Sequence, residues 1–316
     1  MINLASSSVS IRIDPRHGGE VLDVIDLRTG RQLLGRPPFA SDEPEPGELD
    51  ETSWTRCYRG GWQLLVPNAG NACVVDGVAH GFHGRASTDP WAVTEVAPDA
   101  AHLSWEGHGI QVQRRFTLSN DTVTVRSTIT ADQASSLVWV EHVGLGIELL
   151  DPASEIAIAG GQAYEVDERT GPTEPPADAP AWPEVRLLDG TLERADRTEL
   201  RTPRSRMMIV ANVAEGHLTV HNRDRHQGLE LSWDTEWLPH LWIWHEVRSS
   251  GGPWRGLAET LIVEPASVPH TLGLETARER GQAHRMQAGE TRTAELVLRP
   301  LGGRPQGNDQ PDGEHD

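Results

Sequence analysis

Residues 110–125 read IQVQRRFTLSNDTVTV, and this stretch carries the pattern that decides the fold. Apolar and polar residues alternate up to Phe116-Thr117-Leu118 and alternate again from Thr122 onwards, on either side of Ser119-Asn120-Asp121. A period of two places every second side chain on the same face of a strand, and Asn and Asp favour tight turns. The stretch therefore predicts a β-hairpin.

Comparable runs recur along most of the chain. They begin with Val9-Ser10-Ile11-Arg12-Ile13, and further strands are predicted over residues 137–143, 207–213, 217–221, 229–233, 240–247, 260–263 and 294–298. Helical signals are weak, and one short helix is predicted at 274–280, where Gly281 follows the last turn. Many strands with so little helix favour an all-β fold, an antiparallel β-sandwich, over an α/β fold.

The 316 residues fit one β-sandwich domain, which is predicted over residues 1–300. Within it, residues 165–203 hold several prolines among many acidic residues, which predicts an exposed excursion between strands. Residues 301–316 are rich in Gly, Pro, Asp and Asn, and we expect them to form a disordered acidic tail.

The charge of the chain narrows the choice of partners and chemistry. A formal net charge of −19 disfavours nucleic acids and anionic membranes, so a small neutral ligand is the favoured partner. All 28 basic residues are Arg, which excludes chemistry that needs a Lys, such as Schiff-base formation. No apolar run reaches the roughly 18 to 20 residues of a membrane span. The N-terminus lacks a signal-peptide pattern, so we expect a cytoplasmic monomer or homodimer with reduced Cys57 and Cys73.

Glu264 is the first candidate for acid/base chemistry. It follows the apolar run Leu261-Ile262-Val263 and precedes Pro265, so its carboxylate lies where a buried strand must end. Partial burial raises the pKa of a Glu above its reference value of about 4.3 and suits a general base near neutral pH. The alternative is an ordinary strand-end Glu that binds backbone N–H groups.

His142 is the second candidate. It lies in a very apolar run at residues 137–145, in which a polar residue needs a reason for its presence. Alternation places it on the face of Val138 and Val140 and opposite to Glu141. The alternative is a core histidine with satisfied hydrogen bonds and no catalytic part.

Two glycine-containing segments offer further polar groups. His80 and His83 are three residues apart, which alone is a weak metal signal, and no third ligand with metal-like spacing is fixed nearby. We therefore expect no metal and no other cofactor, with a metal-dependent enzyme as the open alternative. The adjacent glycines instead favour a loop folded beneath a ligand, in which His80, Arg85 and Arg59 donate hydrogen bonds.

Tryptophan is unusually common, with eleven Trp against three Phe and two Tyr. An indole ring can cover the apolar face of a pyranose while its Nε1–H donates a hydrogen bond. The candidates for such a sugar platform are Trp91, Trp242, Trp244 and Trp254, with core packing as the alternative for each. Asp234, directly after Trp233, could orient a sugar hydroxyl or cap a turn.

Taken in order, these motifs resemble the aldose 1-epimerase (galactose mutarotase-like) family over roughly residues 10 to 300. The segments Arg59-Gly60-Gly61, Pro67-Asn68-Ala69-Gly70 and His80-Gly81-Phe82, with Arg85 and Trp91, are similar to the first group of substrate-binding motifs in that family. Its C-terminal block, which ends in the catalytic glutamate, is similar to residues 238–244 followed by Leu261-Ile262-Val263-Glu264-Pro265. His142 falls at the place of the family's strand-borne catalytic histidine.

The resemblance implies a β-supersandwich with a sugar cleft and the interconversion of the anomers of a free or phosphorylated sugar. It makes Glu264 the base that takes the proton of the anomeric hydroxyl, and His142, as imidazolium, the acid that protonates the ring oxygen. Arg59, His80, Arg85, Asp234 and Trp244 would bind the substrate. Two alternatives stay open: a non-catalytic sugar-binding or regulatory protein, and a lyase or glycosidase, which would need a second carboxylate or a Tyr.

Overall fold

The computed structural model describes residues 1–41, 50–146, 149–150, 154–197, 202–251 and 253–302. Its short helices are α1 (Glu51–Cys57) and α2 (Leu274–Glu279), and a 3-10 turn spans Arg85–Ser87. In chain order the strands are β1 (Ile2–Ala5), β2 (Val9–Asp14), β3 (Glu20–Asp26), β4 (Arg31–Gln32), β5 (Trp62–Leu65), β6 (Cys73–Val75), β7 (Val78–His80), β8 (Ala92–Val96), β9 (Ala100–Gly107), β10 (Ile110–Ser119), β11 (Thr122–Ala131), β12 (Ser135–Leu137), β13 (Val140–Leu145), β14 (Ser154–Ile158), β15 (Gln162–Val166), β16 (Glu184–Arg186), β17 (Leu192–Arg194), β18 (Arg204–Ala211), β19 (His217–Asn222), β20 (Gln227–Trp233), β21 (His240–Val247), β22 (Glu259–Ala266), β23 (His284–Met286) and β24 (Thr291–Gly302).

Two large sheets form a sandwich. Among the described residues, twelve strands build the first sheet in the order β1-β2-β3-β5-β13-β22-β21-β18-β15-β16-β17, with β4 paired to β3. Eight described strands build the second sheet in the order β14-β19-β20-β24-β11-β10-β9-β8. Within the described ranges, every strand pair is antiparallel except β15 with β16. The predicted all-β, antiparallel sandwich is confirmed.

The predicted hairpin at residues 110–125 is formed by β10 and β11 of the second sheet. Their register runs from Ile110 opposite Ala131 to Ser119 opposite Thr122, which leaves Asn120 and Asp121 as the turn. Asn120 has a φ of 53°, a left-handed conformation that Asn tolerates better than most residues. Alternate side chains of β10, among them Phe116, are buried between the two sheets. The alternation of apolar and polar residues in β10 therefore arises because one face of the strand is buried and the other is exposed.

The centre of the first sheet is buried on both faces. One face packs against the second sheet and contributes Val143 and Val263 to the main core. The other face contributes Val140 and Ile262 to a second apolar cluster, which also contains Trp54 of α1. Strands with two buried faces read as nearly continuous apolar runs, which explains the composition of β13, β21 and β22.

Two regions differ from the sequence-based expectation. Residues 165–203 do not form only an exposed excursion, because β16 and β17 extend the first sheet beyond β15. Strand β24 continues to Gly302, two residues past the expected end of the domain. Residues 198–201 of the excursion and 303–316 of the expected tail lie outside the described residues.

Helix α1 was not expected from the sequence, whereas the helix predicted at 274–280 is present as α2. The side chain of Asp50 caps α1 by accepting a hydrogen bond from the backbone N–H of Ser53 at 3.0 Å. The helix has seven residues, too few for its periodicity to stand out from the surrounding polar sequence. In the part of the chain that the structure describes, no helix is long and apolar enough to span a membrane.

Candidate active site

Four side chains form a row across neighbouring strands of the first sheet. Gln63 of β5 pairs with His142 of β13, and Glu264 of β22 pairs with Trp242 of β21. The register of β13 against β22, set by the pairs on either side, puts His142 opposite Glu264. Directly opposite residues of antiparallel strands have Cβ atoms about 4.5–5.5 Å apart on the same face. The sheet therefore brings together two residues that lie far apart in the sequence.

This row lies at a cavity of about 850 Å³ on the outer face of the first sheet. Its lining includes both His142 and Glu264, together with Trp54, Trp242, Trp244 and Trp254. Helix α1, the loop after β15 and the segment before β22 contribute the walls. A concave cavity that combines aromatic side chains with converging polar groups is the usual form of a small-molecule site.

His142 is buried and held by one hydrogen bond. Its Nδ1 lies 3.0 Å from Oε1 of Gln63. The rings of Trp54 and Tyr58 lie edge-on to the imidazole, with centroids 5.6 and 5.4 Å away, and the ring of His83 is 5.8 Å away. Burial among these uncharged groups lowers the pKa of His142 to about 3.

Glu264 is also buried, and its surroundings are unusual for a carboxylate. It forms no hydrogen bond or ion pair with any residue in the described ranges, and its Oε2 is fully enclosed. Burial raises the pKa of Glu264 to about 8, and the nearby carboxylate of Glu168 adds to the shift. The pKa of Glu264 is shifted in the direction expected from the sequence. No backbone N–H group of the described residues donates to its carboxylate, in contrast to the alternative of an ordinary strand-end Glu.

Aromatic side chains form one wall of the cavity. Tyr58 is stacked between Trp54 and Trp254, with ring centroids 5.4 and 5.5 Å apart, and Trp244 lies 4.9 Å from Trp254. The Nε1–H groups of Trp254 and Trp244 donate to Thr55 O and Ser205 Oγ, respectively. Of the four tryptophans proposed from the sequence, Trp242, Trp244 and Trp254 line the cavity. Trp91 instead packs in the main core near Trp105.

Arg59 lies away from the cavity and is part of a buried charge network. Its guanidinium donates to Glu20 through Nε at 2.7 Å and to Asp14 through Nη2 at 3.0 Å. Glu20 in turn accepts a hydrogen bond from Gln63 Nε2 at 2.9 Å. Arg59 is 2% exposed, so it supports the site from behind and does not offer donors to a ligand in the cavity.

The structure places three other predicted binding residues outside the cavity. His80 packs against His108, with ring centroids 4.8 Å apart. Arg85 is largely exposed and pairs with Asp89 at 3.1 Å. Asp234 accepts a hydrogen bond from the backbone N–H of Glu295 at 2.9 Å, so its side chain makes a structural contact with a strand far away in the sequence. Of Arg59, His80, Arg85, Asp234 and Trp244, only Trp244 is among the cavity-lining side chains of the described residues.

The histidine of this loop that faces the cavity is His83, whereas the sequence analysis predicted His80. It lines the cavity, and its Nδ1 accepts a hydrogen bond from the backbone N–H of Gly70 at 3.0 Å. The neutral ring therefore carries its proton on Nε2, and burial keeps the pKa of His83 well below its usual value. The motif His-Gly-Phe-His-Gly singled out both histidines, but only the tertiary fold distinguishes the inward one.

Several charged residues that the sequence analysis did not single out also line the cavity, among them Arg206 and Glu168. Arg206 of β18 lines it and pairs with Glu193 at 2.9 Å. Glu168, in the loop after β15, lines it as well, and burial together with the Glu51 carboxylate raises the pKa of Glu168 to about 7. Glu168 lies in the Pro- and acid-rich excursion, where no local pattern distinguishes it from its neighbours. Among the described residues, no three His, Cys, Asp or Glu side chains form a group that could hold a metal.

Solved structures share this architecture. Slr1438 from Synechocystis sp. PCC 6803 matches with a TM-score of 0.68 at 17% identity, over 95% of each chain. A protein from Escherichia coli K12 that is provisionally named an aldose 1-epimerase matches with a TM-score of 0.63 at 17% identity, over 95% of this chain and 98% of the other. The galactose mutarotase related enzyme from Lactobacillus acidophilus matches with a TM-score of 0.64 at 10% identity, over 95% and 97%.

At such low identities these likenesses establish the fold, which is that of the galactose mutarotase-like proteins, and the expected resemblance is confirmed at this level. The chain belongs to the family described as Domain of unknown function (DUF4432), whose model matches residues 29–299. No curated protein matches the sequence.

Proposed function

We propose that this protein is an aldose 1-epimerase-like isomerase, which interconverts the anomers of a free or phosphorylated sugar. The observation that carries the proposal is the cross-strand placement of His142 and Glu264 at one cavity. Both groups can exchange protons, and the aromatic wall beside them suits the apolar face of a pyranose. A cavity that only bound sugars would not need this pair.

Anomer exchange requires two proton transfers. One group removes the proton of the anomeric hydroxyl O1, the bond between C1 and the ring oxygen O5 breaks, and a second group protonates O5. The C1 carbonyl then rotates about the C1–C2 bond, and closure from its other face returns both protons. Glu264 and His142 supply the two groups, while the Nε2–H of His83 and the indoles of Trp244 and Trp254 hold the ring.

The experiment is an NMR exchange measurement between anomer signals across a panel of free and phosphorylated aldoses. The wild-type protein should accelerate exchange of at least one of them above the buffer rate. His142→Asn should lower this acceleration by on the order of 10²-fold or more and leave the sugar affinity nearly unchanged, because proton transfer matters in the transition state.

His102→Asn is the matched control, since His102 lies on β9 of the second sheet, away from the cavity, and should exchange anomers at the wild-type rate. Sugar binding without acceleration for any aldose of the panel would exclude the isomerase and favour the non-catalytic sugar-binding protein.

Chelation tests the expectation that no metal takes part. Proton exchange between a carboxylate and an imidazole needs no Lewis acid, so exhaustive treatment with EDTA should leave the exchange rate unchanged. The rate is measured on the best aldose before and after treatment. A loss that a stoichiometric divalent ion restores would contradict the expectation and return the metal-dependent enzyme as an explanation.

A further inference from the structure

Resting on the function proposed above, we propose that the two residues exchange their expected roles. The pair holds its single proton on Glu264, and Gln63 fixes His142 as the neutral Nδ1–H tautomer. His142 Nε2 therefore takes the proton of the anomeric hydroxyl, and the carboxylic acid of Glu264 protonates the ring oxygen. Gln63 acts in this reaction as a positioning residue.

The orientation of the Gln63 amide determines which nitrogen of His142 carries the proton. Its Nε2 lies 2.9 Å from Oε2 of Glu20 and also contacts the backbone carbonyl of Gly60, and both of these atoms can only accept. The NH₂ group must therefore point to them, which leaves Oε1 for His142 at 3.0 Å. An amide oxygen only accepts, so His142 must donate from Nδ1. In the neutral ring, Nε2 is then the proton acceptor.

The surroundings of His142 favour this neutral form. It faces Gln63 from β5, Glu264 from β22, Tyr58 and Trp54 from the α1 segment, and the neutral His83 from the loop after β7. Its direct hydrogen-bond partner is an uncharged amide, and the carboxylate of Glu20 lies one residue further away. Among the described residues, no carboxylate forms an ion pair with the His142 ring, in line with the lowered pKa of His142.

The surroundings of Glu264 favour the acid for the same reason. Trp242 and His142 flank it across the sheet, while Tyr58 and Glu168 are the other titratable groups near it. No cation and no hydrogen-bond donor among the described residues pairs with the carboxylate, and Glu168 adds negative charge. An isolated buried carboxylate is strongly disfavoured relative to its protonated form.

The proton balance of the reaction closes with these roles. The O1 proton passes to His142 Nε2, the C1–O5 bond breaks as the C1–O1 double bond forms, and the Glu264 proton passes to O5. Closure on the other face of C1 moves the same protons back, so the pair ends neutral and ready for another sugar. No further reactant is consumed.

The proposal is tested first on the wild-type protein without sugar, so its outcome does not depend on turnover. In ¹⁵N-histidine NMR, the signals lost in His142→Asn should show a protonated Nδ1 and an unprotonated Nε2 at neutral pH. The infrared difference between wild type and Glu264→Gln should show the carbonyl band of a protonated carboxyl, which disappears as the pH rises through about 8. An imidazolium at His142 or an ionised Glu264 at neutral pH would overturn the proposal.

Gln63→Met tests the positioning residue. Without the amide oxygen, both tautomers of His142 should appear in the NMR spectrum, and kcat should fall by about 10- to 100-fold with KM nearly unchanged. Gln113→Met, at an exposed position of β10, is the matched control and should change neither quantity. A single Nδ1–H tautomer with wild-type kcat in Gln63→Met would remove Gln63 from the mechanism. If that variant does not fold, the wild-type spectra still decide where the proton lies.

Discussion

Glu264→Gln is expected to lower the rate of anomer exchange by about 10²- to 10⁴-fold. The amide keeps the shape of the side chain but can neither hold nor release the proton that the reaction passes through Glu264. The rate is measured by NMR exchange on the best aldose of the panel. Glu95→Gln, on the exposed strand β8, is the control and should retain the wild-type rate.

The same substitution should not destabilise the fold, and this separates a catalytic effect from unfolding. Burial raises the pKa of Glu264 from 4.5 to about 8, so between these values the unfolded chain has lost a proton that the folded chain keeps. The free energy of unfolding therefore falls with rising pH across this window, and Gln, which cannot ionise, removes that part of the dependence. Wild-type exchange by a well-folded Glu264→Gln would rule out the proposed mechanism.

Glu141→Gln is expected to cause the largest loss of stability, about 3–5 kcal/mol in the free energy of unfolding. Glu141 lies between the two sheets with no exposed surface, and its Oε2 accepts from Arg114 at 2.7 Å and from Trp62 Nε1 at 2.7 Å. The Arg114 side chain is equally buried, and its pKa is lowered by burial. Removing the carboxylate leaves the guanidinium charge uncompensated in the core.

Urea denaturation followed by tryptophan fluorescence measures the loss, with Arg85→Gln as the matched control. Arg85 forms an exposed ion pair with Asp89, so its removal should cost no more than about 1 kcal/mol. The double variant Arg114→Met with Glu141→Met should recover part of the loss, because it removes both charges together. Equal stabilities of Glu141→Gln and Arg85→Gln would show that the buried pair does not contribute as described.

Local sequence was sufficient for the main strands and for singling out the two residues proposed at the centre of the site. Alternation and turn residues predicted the hairpin of β10 and β11, because a strand with one buried face must repeat every two residues. His142 stood out as a polar residue in an apolar strand, where a polar group needs a reason. Glu264 stood out as a carboxylate at the expected end of a buried strand, and this expectation of a strand end was wrong, because β22 continues through Pro265 to Ala266. The neighbourhood of His142 and Glu264 at one cavity was an inference from the resemblance.

The sequence alone could not show which of two similar polar residues faces the cavity. Arg59 and Arg206 are both arginines next to apolar strands, yet the fold buries Arg59 in a charge network and turns Arg206 to the cavity. His80 and His83 share one glycine-containing turn, and only His83 reaches the lining. Such differences depend on contacts with residues far away in the chain, which no local pattern encodes.

The sequence by itself determined the class of fold and many of its strands, because these depend on periodicity, and it singled out His142 and Glu264 as the proposed acid/base pair. The tertiary structure decided the register that sets Gln63, His142 and Glu264 in one row, and the position that we propose for the proton of the pair rests on this row. Protonation depends on burial and on the charges within a few ångströms, and those neighbours are assembled only when the sheet forms.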